Sequence, residues 1–318
     1  MDLEVKEDVQ RGVEVLRRLV KSLNEQNLFE FQNLPEDIVP EGLTKGENDH
    51  LIYLSLVSAI AYLRKEERLW ASARETFEDK DTKYVFDTKE VVKHEPEKIE
   101  EDLRSFGLFI NKLVLKHWSI GKLKSVDRRS LRENDLEIWL NMANALNDFD
   151  GNIQKLFENY KYDGLEVLKA FTRAPYASAF PEYHKQRKVE IWLARMRRNA
   201  LFEINNLENI PMPVGAHIIR TTFLTGAITG KLNSIHVDLD NLISDYWNDV
   251  GLACKEELNI TPIEFQVYLW ILSKYGCSVG RESEICTKAP DCPFADICSI
   301  GKFEMLDTYI TIDLTQKR

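Results

Sequence analysis

The sequence lacks the signatures of several common protein classes. Its 318 residues contain no apolar run of about 18 residues, the length that a helix needs to span a bilayer. They contain neither a G-x-G-x-x-G loop nor a Walker phosphate-binding loop, and we expect no strand-to-helix elbow that would present a nucleophilic serine. We therefore expect a protein that is neither a membrane protein, nor a P-loop or dinucleotide-binding enzyme, nor a serine hydrolase.

Basic residues are the minority among the charged ones. Lys and Arg total 42 against 52 Asp and Glu, which gives a formal net charge of −10. A site for nucleic acid on such a chain must be a local basic patch on an acidic body. The first ten residues, MDLEVKEDVQ, are acidic and polar, so we expect neither a secretion signal nor a transit peptide, and a cytoplasmic location.

Alternating patterns typical of β-strands are also missing, whereas helical periodicity recurs along the chain. Residues 7–24 carry apolar side chains at helical spacing, and an apolar stretch from His50 predicts a buried helix that continues towards Phe77. The segment 261–264, TPIE, combines an N-cap threonine, a proline at the first helical position and a glutamate three residues after the cap, and predicts a helix that Gly276 ends. The sequence therefore predicts an all-α fold.

Cysteine is scarce but clustered near the end of the chain. Four of the five cysteines fall within 22 residues, namely Cys277, Cys286, Cys292 and Cys298. Four thiolates suit zinc or an iron–sulfur cluster, whereas a disulfide framework is typical of small secreted domains. The spacing C-x8-C-x5-C-x5-C lacks the short C-x2–4-C pairs of structural zinc sites, so it favours a [4Fe–4S] cluster, with zinc as the alternative.

The approach to these cysteines and the gap between the last two are distinctive. A predicted helix over residues 265–276 runs directly into Cys277, and five residues separate Cys292 from Cys298. In both respects the segment resembles the C-terminal iron–sulfur loop of the helix-hairpin-helix DNA glycosylases, the endonuclease III and MutY superfamily. The family pattern is C-x6-C-x2-C-x5-C, so the first two gaps are longer here. The resemblance implies the all-α fold of these glycosylases, a structural [4Fe–4S] cluster and a role in DNA repair.

A second segment, residues 213–220 with the sequence PVGAHIIR, is similar to the V-D-x-H-x-x-R motif of the same superfamily. Val214, His217 and Arg220 match, but Gly215 stands where the family has its catalytic aspartate. A glycine at a helix N-terminus leaves backbone N–H groups open, which suits an anion. Without the resemblance, the same residues indicate a core helix with a satisfied histidine.

A third segment, residues 181–196, lies where bifunctional members of the superfamily carry a catalytic lysine, and it resembles the archaeal 8-oxoguanine glycosylase branch most. Lys188 is the best match and Lys185 the second. The resemblance implies that Lys188 attacks the sugar carbon that bears the base. That chemistry requires an amine whose pKa is lowered by burial or by cations such as Arg187 and Arg195. The alternative is an ordinary solvated helix face.

Two functions stay open at this point. The first is an iron–sulfur DNA N-glycosylase/lyase for damaged or modified bases, in which Trp192 stacks on a base flipped out of the duplex. Residues 184–198 and 112–129 are its candidate basic patches. The second is a non-catalytic relative that binds nucleic acid or a nucleotide, favoured by Gly215 and by the absence of the family's L-P-G-x-G turn. The candidate nucleic-acid contacts are Lys185, Arg187, His217 and Arg220.

The predicted organisation has four segments. Residues 1–110 form an N-terminal helical region, 111–275 the glycosylase-like helical domain, 276–302 the iron–sulfur loop and 303–318 a tail. DNA or a modified nucleotide is the expected partner, and no membrane is. Glu208 and Asp238 are acids that we consider as substitutes for the missing aspartate.

Overall fold

The structure is a computed structural model that describes residues 4–25, 28–29, 31–61, 64–109, 135–180, 187–277, 286, 288–298, 302–306 and 309–313. Residues 4, 187, 231–238, 302–306 and 309–313 are described by their backbone alone. The chain divides into two compact units. The first unit comprises residues 1–32 and 208–318, and the second unit comprises residues 33–207. The predicted cysteine segment 276–302 lies within the first unit, and the predicted domain boundaries stay predictions.

The described residues are mostly helical. In chain order the elements are β1 (Glu4–Glu7), α1 (Val9–Asn24), α2 (Asn48–Ala59), α3 (Glu66–Glu78), α4 (Thr88–Val91), α5 (Pro96–Ser105), α6 (Asp135–Asn147), α7 (Ile153–Asn159), α8 (Gly164–Phe171), α9 (Arg187–Ala200), α10 (Ala216–Leu224), β2 (Ile228–Ile235), α11 (His236–Leu258), α12 (Pro262–Ile271), β3 (Lys302–Leu306) and β4 (Tyr309–Asp313). The predicted helical class is confirmed. No helix in the described part of the chain is long and apolar enough to cross a membrane.

Local signals in the sequence set several helix ends. Asp8 caps α1 by accepting a hydrogen bond from the Arg11 backbone N–H at 2.9 Å. At α12, the Thr261 backbone N–H donates to Glu264 at 2.9 Å, which completes the predicted capping box. This helix does not end at Gly276 as a regular α-helix, because it changes at Leu272 into a π-helical segment, Leu272–Cys277.

The predicted helix from His50 towards Phe77 is wrong in one respect, because it is two helices. α2 ends at Ala59 and α3 begins at Glu66. Neither glycine nor proline occurs between them, so no local signal marks the break. The apolar first half is buried as predicted, and α2 packs against α9 and α6 in the core of the second unit.

A four-stranded antiparallel sheet in the first unit was not predicted. Its strand order is β1-β2-β4-β3, with β1 from the start of the chain and β3 and β4 from its end. Val5 pairs with Gly230, and Leu232 pairs with Ile312. β2 joins strands from the two ends of the chain, so its pairing leaves little trace in any local pattern, whereas β3 and β4 are neighbours in sequence.

Gly12 sets the packing distance between α1 and α11. A Cβ atom at Gly12 would lie 2.5 Å from Tyr246 Oη and against Val250. We expect Gly12→Ala to lower the free energy of unfolding by about 1–3 kcal/mol, because this overpacking outweighs the higher helix propensity of alanine. Urea unfolding followed by circular dichroism measures the change. Gln10→Ala, at an exposed position of the same helix, is the control, and equal stability of the two variants would contradict the packing.

Candidate functional site

Lys188 is half-buried, and its amine is hydrogen-bonded to the end of α2. It lies in the first turn of α9, and its Nζ donates a hydrogen bond to the backbone carbonyl of Ala59 at 2.9 Å. Ala59 is the last residue of α2, so the amine lies at the end of a helix that is buried from His50 to Ala59. Lys188 is therefore not on a solvated helix face, the alternative that the sequence left open.

The surroundings of Lys188 favour its neutral form. Burial lowers the pKa of Lys188 from 10.5 to about 8, with the positive charge of Arg64 acting in the same direction and the negative charge of Asp135 opposing it. Burial disfavours an ammonium ion because a low-dielectric interior solvates charge poorly. The chemistry expected from the sequence requires a pKa lowered by burial or by nearby cations; burial is the main cause here, and the nearby cation is Arg64 and not one of those named from the sequence.

Arg64 and Asp135 form a buried ion pair that sequence reasoning missed. The guanidinium of Arg64, in the break between α2 and α3, donates to Asp135 Oδ2 and to the carbonyl of Leu108. Only 3% of the Arg64 side chain and 10% of the Asp135 side chain are exposed. Asp135 begins α6, where an aspartate is ordinarily a helix-capping residue, so nothing in the sequence marked it as a charge partner.

The basic patch predicted for residues 184–198 is wrong for two of its arginines. Arg195 is 5% exposed and donates to Glu66 at 3.0 Å, and Arg198 donates to Glu36 at 2.9 Å. Both guanidiniums are therefore neutralised inside the second unit. Lys185 lies outside the described residues, as do Lys112–Arg129 of the second predicted patch, and Arg187 opens α9 with its side chain outside the description.

The predicted stacking role of Trp192 is also wrong. Its side chain is fully buried, and its indole N–H donates to Ser55 Oγ at 2.9 Å. The ring lies 5.1 Å from that of Phe171 and 5.2 Å from that of Phe180, measured between centroids. Trp192 is a core residue and is not available to a flipped base.

His217 and Arg220 meet at one serine in the first unit. His217 Nδ1 lies 3.0 Å from Ser273 Oγ, and Arg220 Nη1 donates to the same oxygen at 3.1 Å. Ser273 belongs to the π-helical segment that ends at Cys277. Arg220 is 3% exposed, so the structure places it beside the cysteine segment and away from the surface, and its predicted contact with nucleic acid stays a prediction.

No carboxylate caps the N-terminus of α10 at Gly215. Gly215 is the N-cap in an extended conformation, and no side chain caps the helix there. Of the two acids considered as substitutes, Glu208 pairs with Lys255 at 3.2 Å, and the side chain of Asp238 lies outside the description. Val214 and Ile218 are buried, so this end of α10 has the core character that the residues alone indicated.

The four clustered cysteines influence one another. Burial raises the pKa of the Cys277 thiol, and Cys298, Cys292 and Cys286 raise it further, whereas Arg220 lowers it. The thiols therefore lie close enough together to interact electrostatically. In the part of the chain that the structure describes, no three His, Cys, Asp or Glu side chains are arranged to hold a metal ion. The four half-buried cysteines have the ligand chemistry of a four-thiolate site, in which bound cations would favour their thiolate forms.

Arg18 ties the last part of the cysteine segment to α1. Its guanidinium donates to the Pro293 carbonyl at 2.9 Å and to both carboxylate oxygens of Asp296, at 2.5 and 3.0 Å. This hydrogen bond and the charge of Arg18 hold the pKa of Asp296 below its usual range. The segment between Cys292 and Cys298 is thereby held by protein contacts as well as by its thiols.

Comparison of the chain with protein-family models, with curated proteins and with solved structures gave no match. The resemblance to the glycosylases therefore stays a prediction carried by the cysteine segment, by residues 213–220 and by Lys188.

Burial of the Lys188 amine makes stability depend on pH. Its pKa is about 8 in the folded protein against 10.5 ordinarily, so the unfolded chain binds more protons between these values and stability rises with pH through that window. Relative to Lys188→Met, the wild type should gain up to about 3 kcal/mol in free energy of unfolding between about pH 7 and pH 10. Urea unfolding of both proteins across that range measures the gain.

The control is Lys169→Met, which removes an exposed lysine of the same unit. Its difference from the wild type should stay nearly constant with pH, because the charge that it removes is solvated in both states. If the free energies of unfolding of the wild type and of Lys188→Met differ by the same amount at every pH, the environment of the amine does not disfavour its charged form.

Proposed function

We propose that the protein is an iron–sulfur N-glycosylase/lyase that acts on damaged or modified bases in DNA, with Lys188 as its nucleophile. The observation that carries the proposal is the buried amine of Lys188 with its lowered pKa of about 8. Perturbed lysines of this kind cluster at sites where an amine acts as a nucleophile.

The lowered pKa changes how much reactive amine exists near neutral pH. With a pKa of about 8, roughly a tenth of the Lys188 amine is neutral at pH 7. The neutral fraction of an ordinary lysine at that pH is about 300-fold smaller. Only the neutral amine has the lone pair that attacks carbon. The hydrogen bond to Ala59 holds the nitrogen in place without removing that lone pair, because the amine is the donor.

The proposed chemistry proceeds by substitution at the sugar. Nζ forms a bond to the C1′ carbon, and the bond from C1′ to the base breaks, with the electron pair and then a proton going to the departing base. Loss of the second amine proton and opening of the sugar ring give a Schiff base, after which elimination of the 3′ phosphate cuts the strand. The base must leave the duplex stack for this step, which is the general requirement for chemistry on a nucleobase.

The cluster has a structural role in this proposal. Cys277, Cys286, Cys292 and Cys298 would hold a [4Fe–4S] group, with zinc as the alternative, and the bound group would cross-link a loop that Arg18 also anchors. No step of the proposed reaction passes through it.

A second candidate function is supported by the N-terminus of α10. Gly215 supplies no carboxylate there, and no side chain caps the helix. An uncapped helix N-terminus suits a phosphate better than a cationic transition state. A non-catalytic relative that binds nucleic acid or a nucleotide is therefore the alternative outcome of the test below.

The nucleophile can be trapped. Incubation with DNA that contains an abasic site, followed by borohydride reduction, should give a covalent protein–DNA adduct in the wild type and none in Lys188→Met, because reduction fixes the Schiff base. Lys169→Met is the matched control and should form as much adduct as the wild type. If the wild type binds DNA but forms no adduct, the lyase is refuted and the non-catalytic binding protein is the function that remains.

The metal site can be tested with the fifth cysteine as a control. After anaerobic purification we expect about four irons per chain and a broad absorption band near 400 nm. Cys286→Ser and Cys292→Ser should lose most of the iron and become sensitive to protease in the C-terminal region. Cys254→Ser should keep both, since Cys254 is buried apart from the cluster. One zinc per chain would establish the alternative metal, and unchanged metal in both cluster variants would refute the four-cysteine site.

A further inference from the structure

A short turn after α1 packs against the residues that lead to Cys277. We call its described residues, Leu28, Phe29 and Phe31, the aromatic turn. The Phe31 backbone N–H donates to the Leu28 carbonyl at 2.9 Å, and the Leu28 side chain is fully buried. The turn is therefore held by a hydrogen bond of its own and by an apolar anchor in the first unit.

Phe29 and Gly276 are in direct contact. A Cβ atom at Gly276 would lie 2.6 Å from Cζ of the Phe29 ring and closer still to Cε2, so the ring fills the space that a side chain would need. Gly276 does not have a left-handed φ, so the ring, and not the backbone conformation, requires glycine there. Phe29 itself has a φ of 52°, which a bulky residue adopts only where its surroundings hold it. Because Gly276 directly precedes Cys277, the contact fixes the backbone next to the first thiol.

The second ring of the aromatic turn contacts Tyr275. The centroids of the Phe31 and Tyr275 rings lie 5.4 Å apart, a distance at which aromatic pairs stabilise each other. Ser273 of the same π-helical segment is held by two side chains of α10. The approach to Cys277 is therefore held by the aromatic turn and by α10 together.

The other described end of the cysteine segment contacts α1 through Arg18. Its guanidinium donates to the Pro293 carbonyl at 2.9 Å and to both carboxylate oxygens of Asp296, and these two residues lie between Cys292 and Cys298. Bidentate hydrogen bonds between charged groups fix geometry as well as contributing energy. α1 and the aromatic turn therefore hold the cysteine segment at two separate points.

We propose that the N-terminal part of the chain positions the thiolate ligands at these two points before a metal binds. The Phe29 ring places Cys277, and the Arg18 guanidinium places the stretch from Cys292 to Cys298. Ligands that are already held in place lose less conformational freedom when the metal binds, so such contacts raise its affinity. The inference rests on the proposed four-cysteine site and is independent of the proposed lyase reaction.

The contact between Phe29 and Gly276 predicts a non-additive pair of substitutions. Phe29→Ala removes the ring and Gly276→Ala displaces it, so each should weaken binding of Co²⁺ by about tenfold, the scale expected for residues that orient metal ligands. In Phe29→Ala/Gly276→Ala the new methyl group occupies the space of the missing ring. The second substitution should therefore add less than about twofold to the loss that the first one causes.

The measurement is an anaerobic titration of the metal-free full-length chain with Co²⁺ alone, followed by the absorption of the cobalt–thiolate bonds. Gly251→Ala is the matched control, because it adds a methyl group 2.9 Å from Pro262 Cγ in the same unit, distant in sequence from the four clustered cysteines. Its affinity for Co²⁺ should equal that of the wild type. Circular dichroism verifies the fold of every variant.

Alkylation of the metal-free chain separates the two contacts. The rate of modification by iodoacetamide is read at each cysteine by peptide mass spectrometry. Phe29→Ala should raise the rate at Cys277 about fivefold and leave the rate at Cys298 unchanged, because it releases one end of the segment only. Arg18→Met should raise the rate at Cys298 and leave that at Cys277 unchanged. Cys254, which is buried outside the segment, is the internal reference for general unfolding.

Two results would overturn the positioning role. One is a fully additive loss of Co²⁺ affinity in the double variant, and the other is a rate of alkylation that rises equally at all cysteines, because both indicate general destabilisation. If Gly276→Ala fails to fold, the two alkylation patterns decide.

The failure of the metal site and the failure of the positioning role are distinguishable. A wild type that binds no Co²⁺ would refute the four-cysteine site and the positioning of its ligands with it. Co²⁺ binding in the wild type together with equal changes at both ends of the segment would refute the positioning alone. Neither result affects the borohydride trapping of Lys188.

Discussion

The cost of burying positive charge is the constraint that organises the second unit. α9 points two cations inward, and they are treated differently. Burial alone would lower the pKa of Arg195, but Glu66 and Glu36 outweigh that effect and raise it. The Lys188 amine donates to the Ala59 carbonyl, and burial lowers its pKa although the charge of Asp135 acts in the opposite direction. The same helix therefore carries one cation that two carboxylates stabilise and one amine whose charged form burial disfavours.

These residues share one stripe of α9. Lys188, Trp192, Arg195 and Asn199 follow one another at spacings of four, three and four, which places them on one helix face. Trp192 bonds Ser55 and Lys188 bonds Ala59, so α2 accepts hydrogen bonds along this stripe. The predicted basic patch treated all charges of residues 184–198 as exposed. Trp192 lies among them, however, and determines which face of α9 is buried. The periodicity around Trp192 was the available signal, and it predicts that the lysine and arginine on its face turn inward.

The fold was predictable where local chemistry decides it. The helical class, the start of α1 at Asp8 and the capping box at Thr261 follow from residues within a turn of one another. The break after Ala59 and the sheet were not predictable in this way. The break contains no helix-breaking residue, and β1 pairs with a strand more than 200 residues away. Such features depend on tertiary partners, and so does the Arg64–Asp135 pair, which is why the sequence predicted the lysine but not its neighbours.

The two strongest resemblances to the glycosylases have a common structural basis in the first unit. Residues 213–220 and the cysteine segment appear in the sequence as separate matches. In the structure, His217 and Arg220 both contact Ser273, four residues before Cys277 and within the π-helical segment that leads to it. The charge of Arg220 also favours the thiolate of Cys277. Arg220 and Cys277 therefore share one electrostatic environment, and the H-x-x-R spacing and the start of the cysteine segment form one structural feature rather than two independent ones. Lys188 is a separate indication, because its environment is formed by different residues in the second unit.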